Sequence, residues 1–229
     1  MIELEEASVV VPTPDGDRTI LTPTSLRLTE QRVAFIGANG SGKSTMARLV
    51  NGLVLPSSGR VVVDGLDVAR EGRAVRRRVG FCLTDPSAQL VMPTCVEDVE
   101  LSLRRSVKGA VERRRQALDV LTRYGLAEHA DRSVHTLSGG QRQLLALAGV
   151  LAVEPSIVVA DEPTTLLDLA NTRLVGDVLL GVPQQLVLVT HDLDLARRCD
   201  RVIVVEDARV RFDGPPEEAV ADYVGSVAT

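Results

Sequence analysis

An α/β fold is predicted for this 229-residue chain: a mostly parallel sheet with covering helices, an antiparallel β flank and an inserted α-helical subdomain. Three observations predict it. Short runs of Val, Ile and Leu alternate with longer stretches of helical period, the pattern of strand–helix–strand units. A glycine-rich loop at 37–45 stands between one such run and a helical segment beginning near Lys43. Between Asp85 and Leu151 the strand signal disappears.

Taken in order, the runs 2–11 and 25–28 supply the antiparallel flank. Strand candidates for the main sheet follow at 33–36, 60–63, 79–83, 157–160, 186–189 and 202–205. Within 85–152, Val111, Leu118 and Leu121 fall at helical spacing, and 141–153 is a strong helix former. A single domain over 1–229 is therefore expected, with 1–84 and 153–229 as its core and 85–152 as the helical subdomain.

Composition narrows the class. Hydrophobic residues make up 45% and charged residues 25%, the balance of a water-soluble globular protein. The formal net charge of -5 argues against a general nucleic-acid binder. The arginine runs at 76–78 and 113–115 have no interleaved aromatic and read as solvated faces. Three cysteines, Cys82, Cys95 and Cys199, lack the spacing of a zinc site or a disulfide framework, which fits a reducing cytosol. The acidic start of the chain is not a secretory signal. The longest apolar stretch, 144–153, is shorter than the ~20 residues of a membrane span. Any membrane role therefore works through a partner.

The loop reads Gly37-Ala38-Asn39-Gly40-Ser41-Gly42-Lys43-Ser44-Thr45 and fits G-x-x-x-x-G-K-[ST]. Its glycines permit a tight backbone path, and the following helix sets a positive dipole under bound phosphates. Lys43 would reach the β- and γ-phosphates of ATP or GTP, and the Ser44 hydroxyl would ligate Mg²⁺. The chain holds only two lysines, Lys43 and Lys108, so arginine is replaced here where a compact point charge is needed.

Two further segments give the loop its context. Leu137-Ser138-Gly139-Gly140-Gln141 opens a helix, and Ile157-Val158-Val159-Ala160-Asp161-Glu162 runs on into Pro163-Thr164-Thr165-Leu166-Leu167-Asp168. Together with the loop they resemble the ATP-binding-cassette ATPases, in which two nucleotide-binding domains clamp ATP between them. The resemblance covers essentially the whole chain and implies a P-loop NTPase (RecA-like) core. It implies Asp161 as a second residue at Mg²⁺ and Glu162 as the group that orients the attacking water. It makes His191, in Val189-Thr190-His191-Asp192, the switch histidine at the γ-phosphate. Asp168 ends a dimer-contact loop. Ser138, Gly139, Gly140 and Gln141 would reach the γ-phosphate held by the other subunit. A second ATPase subunit is therefore implied, most simply as a homodimer. His129 and His135 have no such context and read as surface or local hydrogen-bonding residues.

The chain departs from this family at three places. Thr84 stands where a glutamine usually touches Mg²⁺ and senses the membrane partner; its shorter arm favours contact through water. No aromatic occurs in residues 1–34, where relatives stack adenine, and Val11 takes that position. Arg18 is expected to lie flat on the base instead. Leu144 replaces an arginine often found after the signature.

The segment 84–99, with Thr84, Gln89 and Thr94-Cys95-Val96-Glu97-Asp98-Val99, is similar to the coupling segment of energy-coupling-factor ATPases, most of all those of biotin uptake. That resemblance implies a transmembrane coupling protein and a substrate-binding membrane protein as partners. It places the chain peripherally on the cytoplasmic face of the membrane. Cobalt or nickel import, and an ATP-gated interaction module with little hydrolysis, stay open as alternatives.

Overall fold

The structure is a computed structural model that describes residues 1–227. The last two positions of the expected 1–229 span lie outside the described residues.

Chain order explains the architecture. β1 (Ile2–Thr13) and β2 (Gly16–Leu28) form a long antiparallel hairpin, followed by β3 (Arg32–Ile36) and α1 (Lys43–Asn51). Next come β4 (Ser58–Val63), the short β5 (Leu66–Asp67), α2 (Val68–Arg78) and β6 (Val79–Cys82). Helices α3 (Cys95–Leu103), α4 (Ala110–Arg123) and α5 (Gly139–Leu151) follow. The chain then returns through β7 (Ile157–Asp161), α6 (Leu169–Gly181), β8 (Gln185–Val189) and α7 (Leu193–Arg197). It closes with β9 (Arg201–Glu206), β10 (Arg209–Gly214) and α8 (Pro216–Val227).

Contacts divide the chain into two compact units. The first comprises Met1–Phe81, Ser156–Glu162 and the chain from Leu180 onward; the second comprises Cys82–Pro155 and Pro163–Leu179. The expected core boundary at residue 153 is thus interrupted, because Pro163–Leu179 packs with the second unit.

In the first unit, a six-stranded sheet runs in the order β10-β9-β3-β8-β7-β6. β9, β3, β8 and β7 are mutually parallel neighbours, with Phe35 opposite Val189 on one side and Ile203 on the other. β7 is buried at every position, and β3 and β8 at all but the first. Strands covered on both faces read as unbroken Val/Ile/Leu runs, which is why they were visible in the sequence. A second, four-stranded antiparallel sheet has the order β2-β1-β4-β5. Ile2, Leu21, Leu28, Phe35, Met46, Leu49 and Val187 belong to the core, so α1 buries its apolar face there.

The second unit is helical. α3 begins at a capping box in which the Thr94 hydroxyl accepts from the Glu97 N–H and Glu97 accepts from the Thr94 N–H. Val96, Val99, Leu103, Ala117 and Leu121 line the buried sides of α3 and α4. Strand candidates and elements agree closely in range, but 60–63 (β4) pairs antiparallel with β1 in the second sheet and not in the main one, and β5, β10 and residues 16–24 of β2 were not foreseen. No helix among the described residues is long and apolar enough to cross a membrane.

Candidate functional site

The glycine loop links the end of β3 to α1. Gly37 leaves the strand at φ 145°, and a β-carbon there would sit 2.1 Å from the Val205 carbonyl oxygen, so glycine alone fits. α1 starts behind Gly42, which has no side chain to cap the first N–H groups of the helix. Uncapped N–H groups on a helix dipole attract an anion.

Lys43 is only 3% exposed, and its Nζ donates to the Ala38 carbonyl at 2.7 Å. Burial pushes its ammonium down from the ordinary lysine value, and the charges of Glu162 and Asp161 pull it partly back. The Ser41 hydroxyl is also buried and has no partner among the described residues. A cavity of about 270 Å³ opens over the loop, lined by Arg18, Ile20, Asn39, Gly40, Lys43, Ser44, Thr45 and Glu162. Buried donors, a desolvated ammonium and a bare helix start together fit a polyphosphate, which supplies the acceptors they lack.

β7 delivers Asp161 to this loop at 1% exposure. Its Oδ1 accepts from the Ser44 hydroxyl at 2.7 Å, and its Oδ2 accepts from Arg48 Nη2 at 3.0 Å. Ser44 and Arg48 lie four residues apart on α1 and so share a face. Arg48 was not among the sequence candidates, although its spacing from Ser44 was a readable signal. Ser44 Oγ and the Asp161 carboxylate are hard oxygen donors of the kind that would share a divalent cation such as Mg²⁺ with substrate phosphates.

Glu162 follows with φ 51°, in the left-handed region, and its N–H donates to the Val189 carbonyl at 2.9 Å. That turn aims its carboxylate at His191, whose Nε2 lies 2.8 Å from Glu162 Oε1. The residues expected at 37–45, 161, 162 and 191 are thus gathered at one end of the parallel strands in the first unit.

The remaining candidates lie in the second unit. Ser138 caps α5: its hydroxyl accepts from the Gln141 N–H at 3.2 Å, while Gln141 Oε1 accepts from the Ser138 N–H at 2.9 Å. Gln141 Nε2 lies 3.0 Å from His129 Nε2. Gly139 and Gly140 form the first positions of the helix. Asp168 accepts from the Asn171 N–H at 2.8 Å and from Asn171 Nδ2 at 2.9 Å. The backbone N–H of Asn171 is the chief reason its carboxyl is held below the ordinary aspartate value. Gln89 Oε1 accepts from the Leu83 N–H at 3.0 Å and its Nε2 donates to the Ala146 carbonyl at 3.4 Å, tying its segment to α5. Thr84 is half-buried just after β6. Asp98 accepts from the N–H groups of Val91 and Met92 at 2.9 and 3.0 Å, which pins the same segment.

The family model described as ABC transporter matches residues 21–165. A putative ABC transporter ATP-binding protein of Deinococcus radiodurans is 47% identical over 207 residues, covering 90% of this chain and 92% of the relative. The biotin transport ATP-binding protein BioM of Rhizobium etli is 41% identical over 222 residues, 97% of each chain. The energy-coupling factor transporter ATP-binding protein EcfA1 of Symbiobacterium thermophilum is 41% identical, covering 82% of this chain and 68% of its own. Among solved structures, the dimeric post-hydrolysis state of the cassette MJ0796 bound to ADP and Pi aligns with a TM-score of 0.85 at 30% identity, covering 94% and 99% of the two chains. The structure of cbiO1 from Clostridium perfringens, part of the cbiONQ transporter complex, aligns with a TM-score of 0.83 at 31% identity, covering 97% and 92%.

Proposed function

The chain belongs to the ATPases of the ABC transporter family, and from that premise we propose that it energises an energy-coupling-factor importer, with biotin as its cargo. The segment 84–99 carries this reading, since it resembles the coupling segment of that group. The similarity to BioM and EcfA1 supports it.

In this reading the loop at 37–45 and Lys43 hold the β- and γ-phosphates of ATP. Ser44 and Asp161 would hold Mg²⁺, which supplies positive charge against the phosphate oxygens. Glu162 accepts a proton from water as its oxygen attacks the γ-phosphorus and the bond to ADP breaks, releasing ADP and phosphate. His191 Nε2, 2.8 Å away, holds the Glu162 carboxylate in line. Ser138, Gly139 and Gly140 of a second copy present their hydroxyl and N–H groups to the γ-phosphate, so hydrolysis requires a homodimer. Asp168 and its loop contribute to that dimer, and Thr84 and Gln89 belong to the face that receives a transmembrane coupling protein. With a substrate-binding membrane protein completing the assembly, the chain works from the cytoplasmic face of the membrane.

Glu162→Gln is the direct test. It is expected to bind ATP and accumulate closed dimers while turnover collapses by ~100-fold or more, the scale of losing a positioned base. Normal turnover in that variant would sink the assignment. Vesicles containing the membrane partners and loaded by ATP with labelled biotin test the cargo.

A further inference from the structure

The first turn of α5 is held from outside its motif. Its capping box fixes one end of the Gln141 carboxamide: the Ser138 N–H can only donate, so Oε1 must face it, at 2.9 Å. The other end, the Nε2 amine, is also a donor and lies 3.0 Å from His129 Nε2. Two donors cannot bond, so the ring nitrogen accepts. His129 is therefore a neutral imidazole with its proton on Nδ1. Nδ1 is buried and has no partner among the described residues. The opposite tautomer would remove an unanswered N–H there, but it would set Nε2–H against the amide and turn Oε1 away from Ser138. The backbone of His129 is fixed by its own short helix, Ala127–His129, with the His129 N–H donating to the Leu126 carbonyl at 3.0 Å and the Arg132 N–H donating to the His129 carbonyl at 2.9 Å.

We propose that His129 is a positioning residue for ATP hydrolysis: as the Nδ1–H tautomer it locks the Gln141 carboxamide, and through it the Ser138 cap and the direction of the Gly139 and Gly140 N–H groups. This rests on the reading that the turn 138–141 meets the γ-phosphate of a second copy. No phosphate or metal need touch His129 itself. A side chain that keeps an acceptor at this place preserves the lock, and an apolar one of similar size releases it.

Imidazole ¹⁵N–¹H correlation on the full chain is expected to show the Nδ1–H tautomer at His129; an Nε2–H tautomer overturns the proposal. His129→Leu should speed hydrogen exchange at the Ser138 amide by about tenfold while leaving the α1 amides unchanged, the scale of one lost hydrogen bond. It should also lower kcat while ATP affinity at the Lys43 loop stays the same. His129→Gln, which retains a carbonyl acceptor, is expected to recover both. Unmoved exchange in His129→Leu overturns the proposal. Faster exchange with unchanged kcat overturns the role of this turn in hydrolysis, which separates failure of the reading from failure of the lock. Should His129→Leu not fold, the wild-type tautomer and the exchange of His129→Gln still decide the question.

Discussion

Asn171 lies so close over Gly140 that a β-carbon at position 140 would fall 2.1 Å from its Oδ1 and 2.3 Å from its Cγ. Asp168 accepts from both the backbone N–H and the side-chain amide of Asn171, so the side chain gives up its Nδ2 bond if it swings aside. Gly140→Ala is expected to destabilise the protein by about 1–3 kcal/mol, the range for overpacking, and to depress ATPase activity with it. Adding Asn171→Gly should restore much of the loss. A double-mutant cycle on thermal unfolding reads the coupling; strictly additive effects would contradict it.

The Arg48–Asp161 pair leads to a prediction about the nucleotide-free protein. Asp161 is 1% exposed on its side chain and Arg48 44%, so the pair is half screened. Arg48→Met is expected to cost about 1–2 kcal/mol in the absence of nucleotide, less than a fully buried pair would. Addition of Mg²⁺ and ATP should narrow that gap, because the cation supplies the missing positive charge. Thermal shifts of both proteins, with and without Mg²⁺ and ATP, measure it.

Arg18 lines the cavity over the phosphate loop from the β1–β2 hairpin, where it pairs with Val11. If its guanidinium stacks on adenine, Arg18→Ala should weaken ATP binding roughly tenfold, in line with about 1–3 kcal/mol for a stacked base. Titration calorimetry on the isolated chain would show this, and an unchanged Kd removes Arg18 from the nucleotide site.

Asp168 gives a pH dependence of known sign. Its carboxyl is held below the ordinary value in the folded state, first by the backbone N–H of Asn171. Its contribution to stability is therefore complete above the unfolded value of about 3.9 and disappears as pH falls through the lower folded value. Stability curves of the wild type and Asp168→Asn should run parallel above about pH 5 and converge in acid. Curves that stay parallel down to acid unfolding would contradict the cap.

The parallel strands and the phosphate loop were legible because burial on both faces and a fixed loop geometry leave marks in consecutive residues. β10 was not, since none of its positions is fully buried and half of its residues in RVRFDG are charged, leaving no apolar run. It is a strand because β9 turns back on itself at Asp207 and Ala208, with φ 47° and 63°. Such a turn is usually announced by Asn-Gly or Asp-Gly, and Asp-Ala carries only half that signal. In the site, Lys43, Asp161, Glu162 and His191 could be located by motif. Asn171 and His129 could not, because each acts on a residue brought near by packing. His129 was read as a surface or local hydrogen-bonding residue, and its Nε2 lies 3.0 Å from Gln141 Nε2.

The backbone of Glu162 has a last consequence. An L-residue in the left-handed region is disfavoured by roughly 1–2 kcal/mol, and glycine escapes that penalty. Residue 162 keeps a carboxylate at φ 51° all the same. Glu162→Gly should relieve that backbone penalty while giving up the His191 contact, and on the role proposed for Glu162 it should lose turnover. On the proposed role of Glu162, an unfavourable backbone angle is retained here for the sake of a carboxylate that glycine cannot supply.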